Sequence, residues 1–561
     1  MLLHGWATPL FEAPDEVWHY AYVRWLAEGQ GLPPMDSDVS GAGQEVAQPP
    51  LYYGVAALLS APFPDEDLEH LFWANPNFGY QASGTVPDNK NWLIHTDREH
   101  FPWRGAVLTV HVTRLASLVF GLATVAASWG LGYEALGTQR GALLTAALVA
   151  FQPQFVFISS VVSNDSAAAA LCTIALWLTV RAFRRGVTPR HAVLAGALVG
   201  LAALTKTSAL LLIPGVGLTL GWVARRERCN WTRLIGMLGL YGIAVLALGG
   251  GWYLRNYLSY GDPLGISSHV NTPWGRPEAV SLLALLPELP LLIRSFWGAY
   301  GWGHVFWPDA VYVLLTLGAL VFMSRALHAV LRRRGAVLLR AALLLALGWL
   351  ALIFAALLRW MQEVEAPHGR LLFPALGAGA LLVAAGMPAR RKSHWIGRGF
   401  LIGLAVLTGL APGVRILATF APPRLAAPEA VVERVEPVHL TYGERARLLG
   451  AKVQPTRLMP GERLQVEACW EALRPMDEDY VVFVQVLGPE NLQVASRRTY
   501  PGLGRFPTSL WPVGRAFCDT YRMDVAPWAE APLRYQIEIG LFAPESDTRL
   551  PAANAQGATV E

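Results

Sequence analysis

The chain has 561 residues, of which 53% are hydrophobic and only 15% charged, and its mean hydropathy is +0.34. A soluble globular protein carries about 25% charged residues, so the composition excludes a purely soluble enzyme and points to a surface that largely faces lipid. The net charge of +4 gives no sign of a nucleic-acid partner, and four cysteines without CxxC or Cys/His spacing indicate no structural zinc site.

Met1 to Phe11 is too short to span a bilayer, and it lacks the basic start, long apolar core and cleavage site of a signal peptide. From about Glu12 to Arg104 the chain is rich in Pro, Asp, Asn, Trp and His. Its short apolar piece, Pro50 to Pro62, reads as an interfacial helix. Spans are then predicted near 109–132, 141–160, 166–183, 191–204, 208–224, 234–254, 309–330, 337–358, 371–387 and 398–418. The fold class is therefore a mainly α polytopic membrane protein with about ten transmembrane helices.

Basic residues orient the weave. One set of connections carries Arg181, Arg184, Arg185 and Arg190; Arg225, Arg226, Arg228 and Arg233; Arg325, Arg332, Arg333, Arg334 and Arg340; and Arg390, Arg391, Lys392 and Arg398. That side is expected to be cytoplasmic. The opposite, external side then holds residues 1–108, the Asn164–Asp165 turn, Lys206, and the loops 255–308 and 359–370. An even number of spans places the C-terminus outside as well. Residues 1–424 are read as the membrane domain, with 1–108 as a first external loop carrying juxtamembrane helices. Residues 425–561 change character: Leu464, Val466, Ala468 and Trp470 alternate, and Pro460–Gly461 and Gly488–Pro489 mark turns. Period-two patterning with frequent turns predicts an external C-terminal β-sandwich domain. Cys469 and Cys518, the two cysteines of that domain, are expected to pair, although two separate buried thiols also fit the spacing.

Candidate chemistry collects on the external face. Asp15 and Glu16 precede an amphipathic helix that includes His19; acids at a helix start also fit a plain dipole role. Asp165 sits in a turn between spans, where capping explains it equally well. Lys206, Arg255 and Arg370 lie at span ends, where snorkelling to headgroups is the ordinary explanation. His304, in Gly301-Trp302-Gly303-His304, reads as structural more than catalytic. Taken together, two or three carboxylates and three cations on one face suit group transfer from a phosphate-bearing lipid. The cations would hold the phosphate and stabilise the leaving group, and a carboxylate would deprotonate an acceptor hydroxyl.

Several pieces occur in an ordered set over about residues 10–400: Pro14-Asp15-Glu16 with His19, Gln48-Pro49-Pro50-Leu51-Tyr52-Tyr53, Arg114 with Leu115 and Ser117, Asn164-Asp165, Leu204-Thr205-Lys206, Arg255-Asn256 and Gly369-Arg370. This set resembles the bacterial C-superfamily (GT-C) membrane glycosyltransferases, kin of the protein O-mannosyltransferases and the aminoarabinose transferase of lipid A. The resemblance implies an inverting transfer of a sugar from a polyprenyl-phosphate donor to a glycan, lipid or protein acceptor, with Asp15 as the catalytic carboxylate. It implies no certain cofactor and leaves room for a divalent metal, for which no ligand set is read. It also implies an integral, multi-pass protein of the bacterial plasma membrane. Two other readings stay open: a non-catalytic membrane protein of the same fold, and a lipid or sugar transporter. Family members place a span just before the acidic motif, so a further span upstream of Met1 is expected.

Overall fold

The computed structural model describes residues 1–79, 88–332, 337–388 and 394–560. The chain divides into two compact units, one of Met1–Leu68 with Phe101–Ile416, the other of Glu69–His100 with Leu417–Glu561.

Among the described residues, eight helices are long and apolar enough to cross a membrane: Gly105–Leu136, Asp165–Arg185, Thr207–Arg226, Trp231–Tyr260, Asp309–Leu331, Val337–Met361, Gly369–Gly386 and His394–Phe420. Two predicted spans take other forms. The stretch 141–160 becomes Gln139–Ala150 followed by Pro153–Ile158, because Pro153 has no N–H to continue the first helix and is suited to open a second. The stretch 191–204 is the helix Pro189–Ala203. Its 15 residues reach about 22 Å at the α-helical rise, less than the hydrocarbon thickness of a bilayer of about 30 Å. The apolar piece after Pro50 forms a short helix, Leu51–Ser60.

Local chemistry sets these boundaries. Gly105–Leu136 ends where Gly137 adopts φ 69° and donates its N–H to Tyr133 O at 2.9 Å, a left-handed closure that favours glycine. Thr138 then caps the next helix by accepting from Gly141 N at 3.0 Å. Helices Pro189–Ala203 and Trp231–Tyr260 approach through Gly196 and Gly200. A Cβ on either would lie 2.3 Å from Tyr241 O or 2.9 Å from Val245 O, so only small residues let these backbones meet. At one end of the weave, Arg226 donates to Phe183 O (3.5 Å), Arg325 to Gly386 O (2.9 Å) and Arg140 to Pro388 O (3.0 Å). The arginines of that end thus share a side, as the alternation of the connections requires. Arg333, Arg334, Arg390, Arg391 and Lys392 lie outside the described residues. A hairpin of two short strands, β1 (Ala299–Tyr300) and β2 (Val305–Phe306), holds His304 in its turn.

The second unit contains two antiparallel sheets. Strands β3 (Glu436–Tyr442), β4 (Ala446–Gln454), β5 (Arg463–Ala472), β6 (Val481–Leu487), β7 (Gln493–Thr499), β8 (Ala516–Asp524), β9 (Gln536–Ala543), β10 (Thr548–Arg549), β11 (Ala552–Ala553) and β12 (Thr559–Val560) order as β10-β9-β6-β7 and β12-β11-β3-β4-β5-β8. Alternate residues Leu464, Val466, Ala468 and Trp470 enter the core, with Trp470 packed on Tyr442 and Trp511 at ring distances of 5.6 and 6.2 Å. Cys469 and Cys518 are cross-strand partners on β5 and β8 and form a disulfide, with Cα atoms 4.0 Å apart. This unit also draws in Glu69–His100 from the first long loop. Asn91 donates to Gly504 O (2.7 Å), Thr499 to Asn89 Oδ1 (3.1 Å) and the Tyr500 N–H to Asn77 Oδ1 (3.2 Å). Asp88 pairs with Arg497. Asparagine side chains thus supply the partners that a buried loop backbone requires.

Candidate active site

The site forms where three spans begin and the first loop turns. Asp15 precedes the helix Glu16–Ala27 with φ 63° and ψ 3°, a left-handed backbone that Asp tolerates better than most residues. In that conformation its carboxylate makes no capping bond. Oδ2 instead pairs with Arg370, and Oδ1 accepts from Gln44 Nε2 at 3.4 Å. The carboxylate of Asp15 is thus engaged by Arg370 and Gln44 rather than by the N–H groups of the helix that follows it.

Arg370, at the start of Gly369–Gly386, bridges two carboxylates. One arm reaches Asp15 and the other reaches Asp165 Oδ2 at 3.4 Å. Its Nε is buried and has no hydrogen-bond partner among the described residues. Asp165, the first residue of Asp165–Arg185, also pairs with Lys206, which precedes Thr207–Arg226. Asp165 is buried, whereas 21% of the Asp15 side chain stays accessible. Asn164 holds the floor by donating to Gln48 Oε1 (3.1 Å) and Thr205 O (3.3 Å).

Behind Asp15 lies a second polar group. His19 Nδ1 is 2.8 Å from Tyr53 OH and 3.3 Å from Glu45 Oε2, and Tyr53 donates to Glu45 Oε2 at 3.1 Å. Burial opposes the charge on Asp15, but the guanidinium of Arg370 outweighs it and holds the carboxyl below its usual range. Burial pushes His19 down to about 3. Burial, with the charge of Asp15, raises Glu45 to about 8. At neutral pH the imidazole is thus neutral and Glu45 keeps its proton. One donor atom each from Asp15, His19 and Glu45 lies within 4.8 Å of the others. These three are the set in this site that would hold a divalent cation, although Arg370 and Tyr53 already bind the same groups.

The remaining candidates separate. Glu16 is buried and saturated: Arg114 Nε and Nη2 donate to it at 2.7 and 2.8 Å, and the N–H groups of Val162 and Phe11 at 2.9 and 3.1 Å. Arg114 also donates to Gly5 O, Thr8 O and Pro9 O. This pair ties the N-terminal segment to the span Gly105–Leu136 and leaves no carboxylate lone pair for a substrate. Arg255 spends its guanidinium on Pro33 O (2.9 Å), Asn256 (3.2 Å) and Tyr260 (3.4 Å), and lies over the Trp252 ring. His304 stays in its hairpin turn. Glu45 and Gln44 join the site although no sequence motif includes them. Their one signal was a polar pair just ahead of Gln48-Pro49-Pro50, which composition does not distinguish from the rest of a polar loop.

Residues 108–249 match the profile of a family described as dolichyl-phosphate-mannose-protein mannosyltransferase. No curated protein matches the chain. Among solved structures, ArnT from Cupriavidus metallidurans in the apo state is similar at 16% identity over 71% of this chain and 59% of that one, with a TM-score of 0.43. The same protein bound to undecaprenyl phosphate is similar at 16% identity over 73% and 61%, with a TM-score of 0.44. The chain thus spans 59–61% of the length of the ArnT structures it matches. The matched stretch holds Arg114, Asn164, Asp165 and Lys206. The similarity to C-superfamily membrane glycosyltransferases seen in the motifs therefore extends to a family match over these residues.

Proposed function

We propose that the chain is a membrane glycosyltransferase that moves a sugar from a polyprenyl-phosphate donor to an acceptor hydroxyl with inversion, at a site on the external face. The observation that carries this reading is the bridge from Asp15 through Arg370 to Asp165 and Lys206, which joins residues up to 355 positions apart. Two carboxylates and two cations leave the cluster balanced. An incoming phosphate finds two cations and the spare N–H of Arg370 Nε.

The acceptor oxygen attacks the anomeric carbon as the bond from that carbon to the phosphate oxygen breaks. The electron pair leaves with the polyprenyl phosphate, whose added negative charge Arg370 and Lys206 stabilise. The hydroxyl proton passes to Asp15, the accessible carboxylate. Asp165 holds both cations in place as a positioning residue. The external placement rests on the basic connections at the opposite end of the spans.

The test is transfer from radiolabelled polyprenyl-phosphate sugars by membranes containing the protein. Asp15→Asn keeps the shape but cannot take the proton, so label transfer is expected to vanish while the amount of folded protein holds. Wild-type turnover by this variant removes Asp15 from the role.

A further inference from the structure

A cavity of about 500 Å³ opens beside Asp15. Trp18, Asp36, Gln44, Tyr260, Asn271 and Thr272 contribute to its lining. The link to the chemistry is direct. Gln44 in the wall donates to Asp15 Oδ1, while the other oxygen of the same carboxylate, Oδ2, pairs with Arg370. Asp15 therefore stands between the cationic side and this cavity. Trp18 follows it by three residues, close to one helical turn.

The chemistry of the wall selects a ligand class. Among the described lining residues there are two carboxylates, Asp36 and Asp262, and no Lys, Arg or His. Such a wall disfavours a phosphate or an acidic glycan. It is too polar for a prenyl chain, which needs an apolar surface. Hydroxyl and amide groups, the Asp36 carboxylate and the rings of Trp18 and Tyr260 in one lining suit a ligand with many hydroxyls and apolar C–H faces. The far wall is also preformed. Asp262 accepts from the N–H groups of Leu264 (3.2 Å), Gly265 (3.0 Å) and Ser267 (2.8 Å), and from the Ser267 hydroxyl (2.8 Å). Trp18 is held by an edge contact to Trp302 at 5.7 Å.

We propose that this cavity seats the acceptor and that the acceptor is an uncharged saccharide, one of whose hydroxyls displaces Gln44 at Asp15 Oδ1. The proposal rests on the glycosyltransferase reading for its role, but its test does not. The full chain in lipid nanodiscs, free of maltoside detergent, is probed by saturation-transfer-difference NMR. The ligands are methyl α-glucoside, methyl α-mannoside and methyl α-galactoside, with glucose 6-phosphate and a Ser/Thr-containing peptide as comparisons. A signal is expected from at least one neutral glycoside and none from the phosphate. Loss of the indole is expected to weaken binding about tenfold in Trp18→Ala, with recovery in Trp18→Phe, which keeps a flat ring. If Trp18→Ala does not fold, Asn271→Ala reads the same cavity. The proposal is overturned if no neutral glycoside binds, if binding is equal in these variants, or if the peptide alone binds. Saccharide binding without any transfer from a lipid donor would sink the transferase reading alone.

Discussion

Replacing Glu16 by Gln separates two acids that stand side by side in the chain. Glu16 accepts four hydrogen bonds between 2.7 and 3.1 Å in a fully buried setting. An amide there leaves the Arg114 charge without its counter-ion and turns an NH2 group toward an N–H donor. Breaking a buried ion pair from one side costs about 3–5 kcal/mol, a large part of the total stability of about 5–15 kcal/mol of a typical domain. Arg114 keeps its carbonyl contacts to Gly5, Thr8 and Pro9, so the loss is expected near the lower end of that range. The assay is the fraction of monodisperse protein left after graded heating, compared across wild type, Glu16→Gln and Asp15→Asn. Glu16→Gln should aggregate at clearly lower temperature, whereas Asp15→Asn should stay near wild type and lose transfer. If Glu16→Gln has wild-type thermal stability and no transfer, then Glu16 is a chemical group and the argument from its saturated lone pairs is refuted.

Arg370→Lys should reduce transfer about a hundredfold, since a single ammonium cannot bridge Asp15 and Asp165 as the guanidinium fork does; steady-state rates at saturating donor check this. Glu45 gives a pH signature. Burial and the charge of Asp15 raise it from 4.5 to about 8, so the folded protein holds a proton that the unfolded chain has released. Its contribution to stability is full below pH 4.5 and is lost as pH rises through 8, with a slope of up to about 1.4 kcal/mol per pH unit. Unfolding measured between pH 5 and 9 should show that slope in the wild type and a flatter profile in Glu45→Gln. The Cys469–Cys518 bond closes a separation of 49 residues, and loop-closure entropy assigns it about 4 kcal/mol. Replacing both by Ser should therefore make the β-strand unit sensitive to protease at temperatures the wild type survives.

Much of this architecture is legible in the residues. Apolar runs of about 20 residues locate most spans because length and hydropathy are local properties. The stretch 141–160, predicted as one span, is an exception, because its apolar run continues across the break that Pro153 makes. Asp15, Asp165, Lys206 and Arg370 fall on one side by counting connections, and the structure brings those four together. What the chain hides is how neighbours divide their work. Asp15 and Glu16 are equivalent in composition; only the left-handed turn at Asp15 and the distant Arg114 distinguish them. Arg255 lies near a span end as Lys206 does, yet its partners are the ring of Trp252, one turn earlier, and the carbonyl of the distant Pro33. Glu45 gains its character from burial beside Tyr53 and His19, which no sequence period records.

The asparagine-rich stretch of the first loop bears on biosynthesis. Asn91 and its partner Gly504 are 413 residues apart. At a translation rate of about 5–20 residues per second, the earlier segment leaves the ribosome about 20–80 s before its partner is made. Until then Asn77, Asn89 and Asn91 lack their partners Tyr500, Thr499 and Gly504 and have only the local bonds of the loop, such as Asn75 to Asn91 O and Asn91 to Leu93 O. The fold of this unit is thus completed after synthesis of the spans rather than during it. A stalled or truncated chain ending before Arg497 would leave these three long-range contacts and the Asp88–Arg497 pair unmade, which makes the stretch an early proteolytic marker of incomplete chains.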